Sequence, residues 1–369
     1  MKVFKDQYKG KKVLITGHTG FKGSWLSTWL LKLGAKVVGY SLDVPTDPSF
    51  FEGANLASKV KSYFKDVRDL KELRVVINKE KPDYIFHLAA QSLVSVSYEN
   101  PEETISTNVI GTMNVLECLR QVKKKTIGII ITSDKCYQNM EWKWGYREND
   151  NLGGDDIYSG SKGAAELIIN SYVKSFFGKN KNSFVRIGIC RAGNVIGGGD
   201  WSKDRIVPDS IKSWSKSKSV LIRSPNATRP WQHVLEPLSG YLSLGIELYK
   251  SSKLHGEAYN FGPNAEQTKT VVELLSDLFT HWNNTKIQKP YLISKIKKFK
   301  EAGLLKLSCD KALFDLNWQS NLDYSETAML VGQWYDFYYQ KNMNVYEFSI
   351  KQIKLFEEIA KKRKRSWII

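Results

Sequence analysis

Lys11-Lys12-Val13-Leu14-Ile15-Thr16-Gly17-His18-Thr19-Gly20-Phe21-Lys22-Gly23 decides how the rest of the chain is read. Val13 to Ile15 are consecutive apolar residues, as in a strand covered on both faces. Three glycines at three-residue intervals follow it, and Ser24 to Leu33 then form an apolar helix that Gly34 ends. Glycines so placed let the backbone turn sharply and approach a pyrophosphate, which the positive end of the helix holds. The expected dinucleotide contacts in this turn are Gly17, Thr19, Gly20, Phe21, Lys22 and Gly23.

The same strand-then-helix alternation continues outward. A second strand, Ala35 to Tyr40, leads to Asp43, 20 residues beyond Gly23, where such folds hold an adenosine ribose. Asp43 also reads as an ordinary turn residue before Pro45. No Lys or Arg occurs from Val37 to Ser58, which argues against a 2′-phosphate and for NAD over NADP. Asp66 and Val67 precede the next helix and are placed near the adenine. Tyr84 to Ala90 reads as a further strand, whose small final residues, Leu88-Ala89-Ala90, let a cofactor lie close. Gln91 comes just after it, and a helix from about Glu102 to Gln121 carries Asn108.

Ile127-Gly128-Ile129-Ile130-Ile131 is a strand that wants burial on both faces, so Thr132-Ser133-Asp134-Lys135 emerge at its carboxyl end. Tyr158 and Lys162 are four apart and share one helix face. A lysine ammonium beside a phenol favours the phenolate and lowers its pKa, making Tyr158 a base near neutral pH. An exposed Tyr and Lys on a solvated helix is the alternative; their position after a buried strand and an acid/base cluster favours chemistry. Val185 to Arg191 is one more strand, followed by a glycine-rich loop from Ala192 to Trp201 that serves either as a substrate lid or as a connection. Arg205, Arg223 and Arg229 follow, and guanidinium forks suit a diphosphate, although any one of them can equally pair with a surface acid. The fold class is therefore α/β, a doubly wound parallel sheet with a smaller, mostly helical substrate-binding lobe.

At 369 residues, 42% hydrophobic and 12% aromatic, the chain buries a full core. No apolar run nears the roughly 20 residues of a membrane span, and the first residues carry no signal-like stretch. The expectation is a cytoplasmic protein. Cys118, Cys136, Cys190 and Cys309 are scattered and read as free thiols; five dispersed histidines imply no metal. A formal charge of +17 suits an anionic partner. Its lysine runs lack any nucleic-acid module, so no nucleic acid is expected and solvated faces are the plainer reading.

Gly17-x-x-Gly20-x-x-Gly23, Leu88-Ala89-Ala90, Tyr158-x-x-x-Lys162 and Arg229-Pro230-Trp231-Gln232-His233-Val234 together resemble the extended short-chain dehydrogenase/reductase family, over about residues 9 to 340. Within it, nucleotide-sugar 4,6-dehydratases place Thr-Asp-Glu where this chain has Ser133-Asp134-Lys135. The lysine in third place, with Glu141-Trp142-x-Trp144-Gly145-Tyr146-Arg147-Glu148 and Leu152-Gly153-Gly154-Asp155, is similar to the members that act on CDP-glucose. It argues against dTDP-glucose.

The resemblance implies a Rossmann-type NAD domain over 1–190 with a returning segment at about 230–262, and a substrate lobe over 191–229 and 263–369. It implies NAD as cofactor and CDP-glucose or a related sugar nucleotide as substrate. Tyr158, helped by Lys162, would take the 4-hydroxyl proton while Ser133 hydrogen-bonds that hydroxyl. Lys135 would remove the proton on carbon 5, and Asp134 would protonate the departing 6-hydroxyl. Gln91, Ser133, Asn194, Arg205 and Arg229 would hold substrate. A UDP-sugar dehydratase or a 4-epimerase of the same fold is the alternative, a non-catalytic NAD-binding module a further one. A homodimer or homotetramer is implied, through helices near 103–121 and 158–177. Ala165, Ile168, Ile169, Tyr172, Val173 and Phe176 suit either that contact or burial within one subunit.

Overall fold

A computed structural model describes residues 2–178, 184–264, 266–283, 287–294, 304–340 and 344–368. Six strands, β1 (Lys12–Thr16), β2 (Lys36–Ser41), β3 (Lys61–Phe64), β4 (Tyr84–His87), β5 (Thr126–Ile131) and β6 (Val185–Arg191), join the short strand Ala258–Asn260 in one sheet. The order across it is Ala258–Asn260, β6, β5, β4, β1, β2, β3, and every pairing is parallel. The chain enters at β1, runs outward through β2 and β3, then crosses back to β4. The crevice at the carboxyl ends of β1 and β4 is therefore the topological switch point where such sheets take ligands. Thr16, His87 and Ile130 stand level, so the segments leaving β1, β4 and β5 emerge at one edge.

Alternation along the strands separates two cores. Val13, Ile15, Val37, Phe86, Ile127 and Ile129 face one side with Trp25, Trp29, Leu238 and Leu242. Leu14, Val38, Ile85 and Ile130 face the other with Leu73, Ile77, Val115 and Leu119. All six residues of β5 are buried, as a strand rich in isoleucine requires between two helical layers.

Three boundaries differ from expectation. β4 stops at His87; Leu88 N still donates to Thr16 O at 3.0 Å, and beyond it the backbone passes over Gly17. The first helix, α1, starts at Phe21 and runs to Lys32. The helix expected over 102–121 is interrupted by a wider turn at Ser106–Ile110 between the α-helical pieces Pro101–Ile105 and Gly111–Arg120.

Beyond β6 the chain adds helices Ile206–Trp214, Val271–Thr280 and Tyr324–Tyr339, with short pairings of Val220–Ile222 with Tyr291–Ile293 and of Thr228–Arg229 with Lys269–Thr270. The final helix, Val345–Lys362, is tied both to α1 and to the helix Tyr324–Tyr339. Glu357 accepts from Trp29 Nε1 at 2.9 Å and Lys32 Nζ at 2.6 Å on α1. Gln352 donates to Leu330 O at 2.7 Å, and Trp334 Nε1 donates to Ser349 Oγ at 2.9 Å. Among the described residues no helix is long and apolar enough to cross a membrane, and no three His, Cys, Asp or Glu side chains gather to hold a metal.

Candidate functional site

Packing dictates two of the three loop glycines. Gly17 has φ +75°, and a Cβ there would lie 2.7 Å from Ala89 N; at Gly23 it would lie 2.1 Å from Gly17 O. At Gly20 the nearest atom is 3.5 Å away, so the start of α1 stays open where a pyrophosphate would approach. His18 is buried over Gly39, with its ring nitrogens 2.7 Å from Ser41 Oγ and 2.9 Å from Ser62 Oγ; burial pulls its pKa down to about 4. Thr19 Oγ1 donates to Asp43 O at 2.6 Å and fixes exposed Asp43 beside the turn. The Phe21 ring packs against Gly197. Asp66 is bound by Arg68, whose Nε lies 2.9 Å and Nη2 2.6 Å from Oδ2; Val67 packs on Gly111. The cradle fits a dinucleotide: close-packed glycine backbone, an open helix start, and an acidic side chain at the end of the second strand.

The acid/base stretch follows β5. Ser133 caps the short turn Asp134–Cys136, its Oγ accepting from Lys135 N at 3.2 Å and donating to Asp134 Oδ1 at 3.0 Å. Ser133 and Asp134 are buried; Lys135 is half-buried. Asp156 starts the helix Ile157–Tyr172 by accepting from Ser159 N at 2.9 Å, which places Tyr158 and Lys162 against this turn. The expectation for Tyr158 is corrected here. Burial pushes its phenol up to about 12, hydrogen bonding with Ser133 pulls it back, and Asp134 raises it again. The Lys162 ammonium stands 5.9 Å from the ring centroid. Its own pKa falls to about 8, first through burial and then through Lys22. Lys22, also lowered to about 8 by burial and by Arg205, feels Asp134 and Asp200 in the opposite sense. Three cations and two carboxylates thus converge at the edge where β1, β4 and β5 end.

The other expected residues divide. Asn194, held at φ +54°, lines a cleft with Asp134, Gly193, Pro230, Gln232 and Leu307. Arg205 pairs with Asp200 at 3.1 Å and acts electrostatically on Tyr158 and Lys22. Arg229 donates to Thr228 O at 2.8 Å. Gln91 is not presented to this cleft: its amide oxygen accepts from Leu93 N at 2.6 Å, and its amide nitrogen donates to Leu93 O and Thr104 Oγ1. Asn108 is spent likewise, joining Gln91 N and O to Ser161 Oγ. The backbone of Leu88 and Ala89 passes close over Gly17. Sequence reasoning missed Gly193, where a Cβ would fall 1.7 Å from Asp134 Oδ2, and Arg191 and Glu166, a buried ion pair. A signal for the pair existed: a glutamate on a largely apolar helix face needs a cation.

Comparison with known proteins accords with this geometry. The family model described as GDP-mannose 4,6 dehydratase matches residues 14–329. The chain is 47% identical to the CDP-glucose 4,6-dehydratase of Salmonella typhimurium, over 90% of this chain and 92% of that one. Among solved structures, dTDP-glucose 4,6-dehydratase from Bacillus anthracis in complex with NAD superposes with a TM-score of 0.70 at 21% identity, over 90% of this chain and 97% of that one. UDP-glucose 4-epimerase from Thermotoga maritima with UDP-glucose gives 0.74 at 20% identity, over 89% and 99%. At those identities the structures speak for the fold alone.

Proposed function

The chain belongs to the GDP-mannose 4,6-dehydratase family, and from that premise we propose that it removes water from CDP-glucose to give CDP-4-keto-6-deoxyglucose, with NAD as its resident cofactor. The observation that carries this reading is the Ser133-Asp134-Lys135 turn set against Tyr158 and Lys162 at the carboxyl edge of the sheet. NAD, when bound, supplies the hydride acceptor for carbon 4 and the hydride donor for carbon 6.

The protein's own groups do the rest. Gly17, Gly20, Gly23 and the start of α1 hold the pyrophosphate, with Asp43 toward the ribose. Tyr158 takes the 4-hydroxyl proton, and Ser133 orients that hydroxyl. Burial raises the phenol to about 12; Tyr158 takes the proton in its phenolate form, which a neighbouring Lys162 ammonium favours. A ketone at carbon 4 acidifies carbon 5, from which Lys135 removes a proton, and Asp134 protonates the departing 6-hydroxyl. These two roles require environments that push the pair apart. Lys22, Arg205 and Arg229 face the phosphates. The division of 1–190 and 230–262 from 191–229 and 263–369 is our working assignment of cofactor and substrate lobes.

Self-association is also part of the reading. Ile105, Ile110, Leu167 and Phe176 are exposed on the helices expected at the contact, whereas Ala165 and Ile169 are buried within the subunit. Incubation with CDP-glucose and NAD should yield a 4-keto-6-deoxy sugar nucleotide. Recovery of unchanged CDP-glucose from folded, NAD-bound protein overturns the reading.

A further inference from the structure

One buried ion pair beside the reacting groups has no part in the chemistry above. Glu166 lies four residues beyond Lys162 and eight beyond Tyr158 on the helix Ile157–Tyr172, hence on their face, and is wholly buried. Its partner Arg191 ends β6 and is 2% exposed. Arg191 Nε donates to Glu166 Oε1 at 2.7 Å and Nη2 donates to Oε2. Nη1 donates to the Tyr137 hydroxyl at 2.7 Å and to Glu148 O at 3.0 Å. Glu166 Oε1 also accepts from the Thr132 hydroxyl at 2.6 Å.

These contacts enclose the acid/base turn. Thr132 directly precedes Ser133, and Tyr137 directly follows Cys136. The turn is thus pinned at its entrance through Glu166 and at its exit through Arg191. Tyr137 carries the restraint on by donating to Asn260 Oδ1 at 2.7 Å, and Asn260 Nδ2 donates to Tyr146 O at 2.9 Å and Ser308 O at 3.1 Å. Stability alone does not call for this arrangement, since a buried ion pair can often be replaced by apolar residues without loss. A planar guanidinium does fix three neighbours at set angles. Burial works against its charge, and Glu166 more than offsets that, so Arg191 stays protonated.

We propose that Arg191 and Glu166 are positioning residues for the elimination stage: they set the Asp134–Lys135 turn at its working distance from the helix that carries Tyr158. The inference rests on the dehydration reading. Tyr137→Phe removes a single hydroxyl and keeps the ring stacked 5.2 Å from Tyr146; Arg191→Lys and Arg191→Met keep or remove the charge. Melting temperature, kcat and KM for CDP-glucose, and the two stages are measured. Hydride removal is followed by the near-ultraviolet absorbance of the reduced nicotinamide in a single turnover, elimination by solvent deuterium appearing at carbon 5. For Tyr137→Phe we expect unchanged KM and hydride removal, with kcat and deuterium uptake both reduced about ten- to a hundredfold, the scale of an ångström-level misplacement. Arg191→Lys should recover part of what Arg191→Met loses. Unchanged deuterium uptake in Tyr137→Phe overturns the proposal. So does slowing of both stages in step with a lower melting temperature, which marks a purely structural role. Absence of turnover in the unmodified protein would defeat the dehydration reading and the positioning claim with it; the variants alone defeat only the latter.

Discussion

Replacing Gly193 by alanine tests the place of Asp134 in the chemistry with one added methyl group. That carbon would stand 1.7 Å from Asp134 Oδ2 and 2.0 Å from Cγ, whereas unbonded heavy atoms settle at about 3.5 to 4 Å. The carboxylate or the loop must therefore retreat by roughly 1.5 to 2 Å. Gly193 does not sit in the left-handed region, so alanine brings no backbone strain and its effect is steric. A displacement of about 1 Å at a reacting group is worth about a hundredfold in rate, and we expect kcat to fall at least that far. NAD affinity should persist, because the Gly17–Gly23 turn is untouched. Steady-state dehydration of CDP-glucose, calorimetric titration with NAD and a melting curve together make the assay. Combining Gly193→Ala with Asp134→Ala should add little to either loss, since both disable one group. A Gly193→Ala protein that melts normally, binds NAD and turns over at the parental rate refutes the reasoning.

Lys135→Ala should cut dehydration by about a hundred- to ten-thousandfold, the range of a general base; intact turnover on a sugar nucleotide would point instead to epimerisation, which needs no base for carbon 5. Gly17→Ala should destabilise the fold by about 1 to 2 kcal/mol from its left-handed backbone alone and weaken NAD binding further by displacing Ala89; unchanged calorimetric affinity would contradict the cradle described here. Glu236 is wholly buried, and although Leu322 N, Asn321 N, Arg365 and Arg363 favour its charge, burial raises its pKa from 4.5 to about 7. A raised acid stabilises the fold fully below its unfolded pKa and loses that contribution as pH rises, here across 4.5 to about 7. The amount is about 3 kcal/mol. Denaturation midpoints of the parent should fall across that window relative to Glu236→Gln, a comparison that removes the opposite slope of buried His18, His87 and His233, whose pKa values are lowered; parallel curves would refute it.

What was legible in the sequence is what depends on near neighbours. The strand, glycine turn and helix from Lys12 to Lys32 need only adjacent residues, and the spacing of Tyr158 and Lys162 needs one helical turn. Contacts made across the fold were not legible. Gly193 meets Asp134 only because β5 and β6 pair in register, and Arg191 finds Glu166 only where the helix Ile157–Tyr172 packs beside the end of β6. Gln91 carries the right chemistry for a substrate contact, yet its own loop consumes the amide. The phenol of Tyr158 follows its burial and not its spacing from Lys162. Charge misled in a similar way: in Lys361-Lys362-Arg363-Lys364-Arg365, a run that reads as a solvated face, Arg363 binds Glu326 at 2.8 Å and Arg365 binds Gln319 at 2.5 Å, so part of it is internal bracing.

The helix Val345–Lys362 has a consequence for how substrate comes and goes. It is fastened to α1 through Glu357 and to Tyr324–Tyr339 through Gln352 and Ser349, with Ile353 and Phe356 wholly enclosed. A molecule clasped along its spine in this way cannot swing open like a book without tearing those bonds. Exchange of hexose and product that keeps those bonds intact proceeds by small excursions of surface segments.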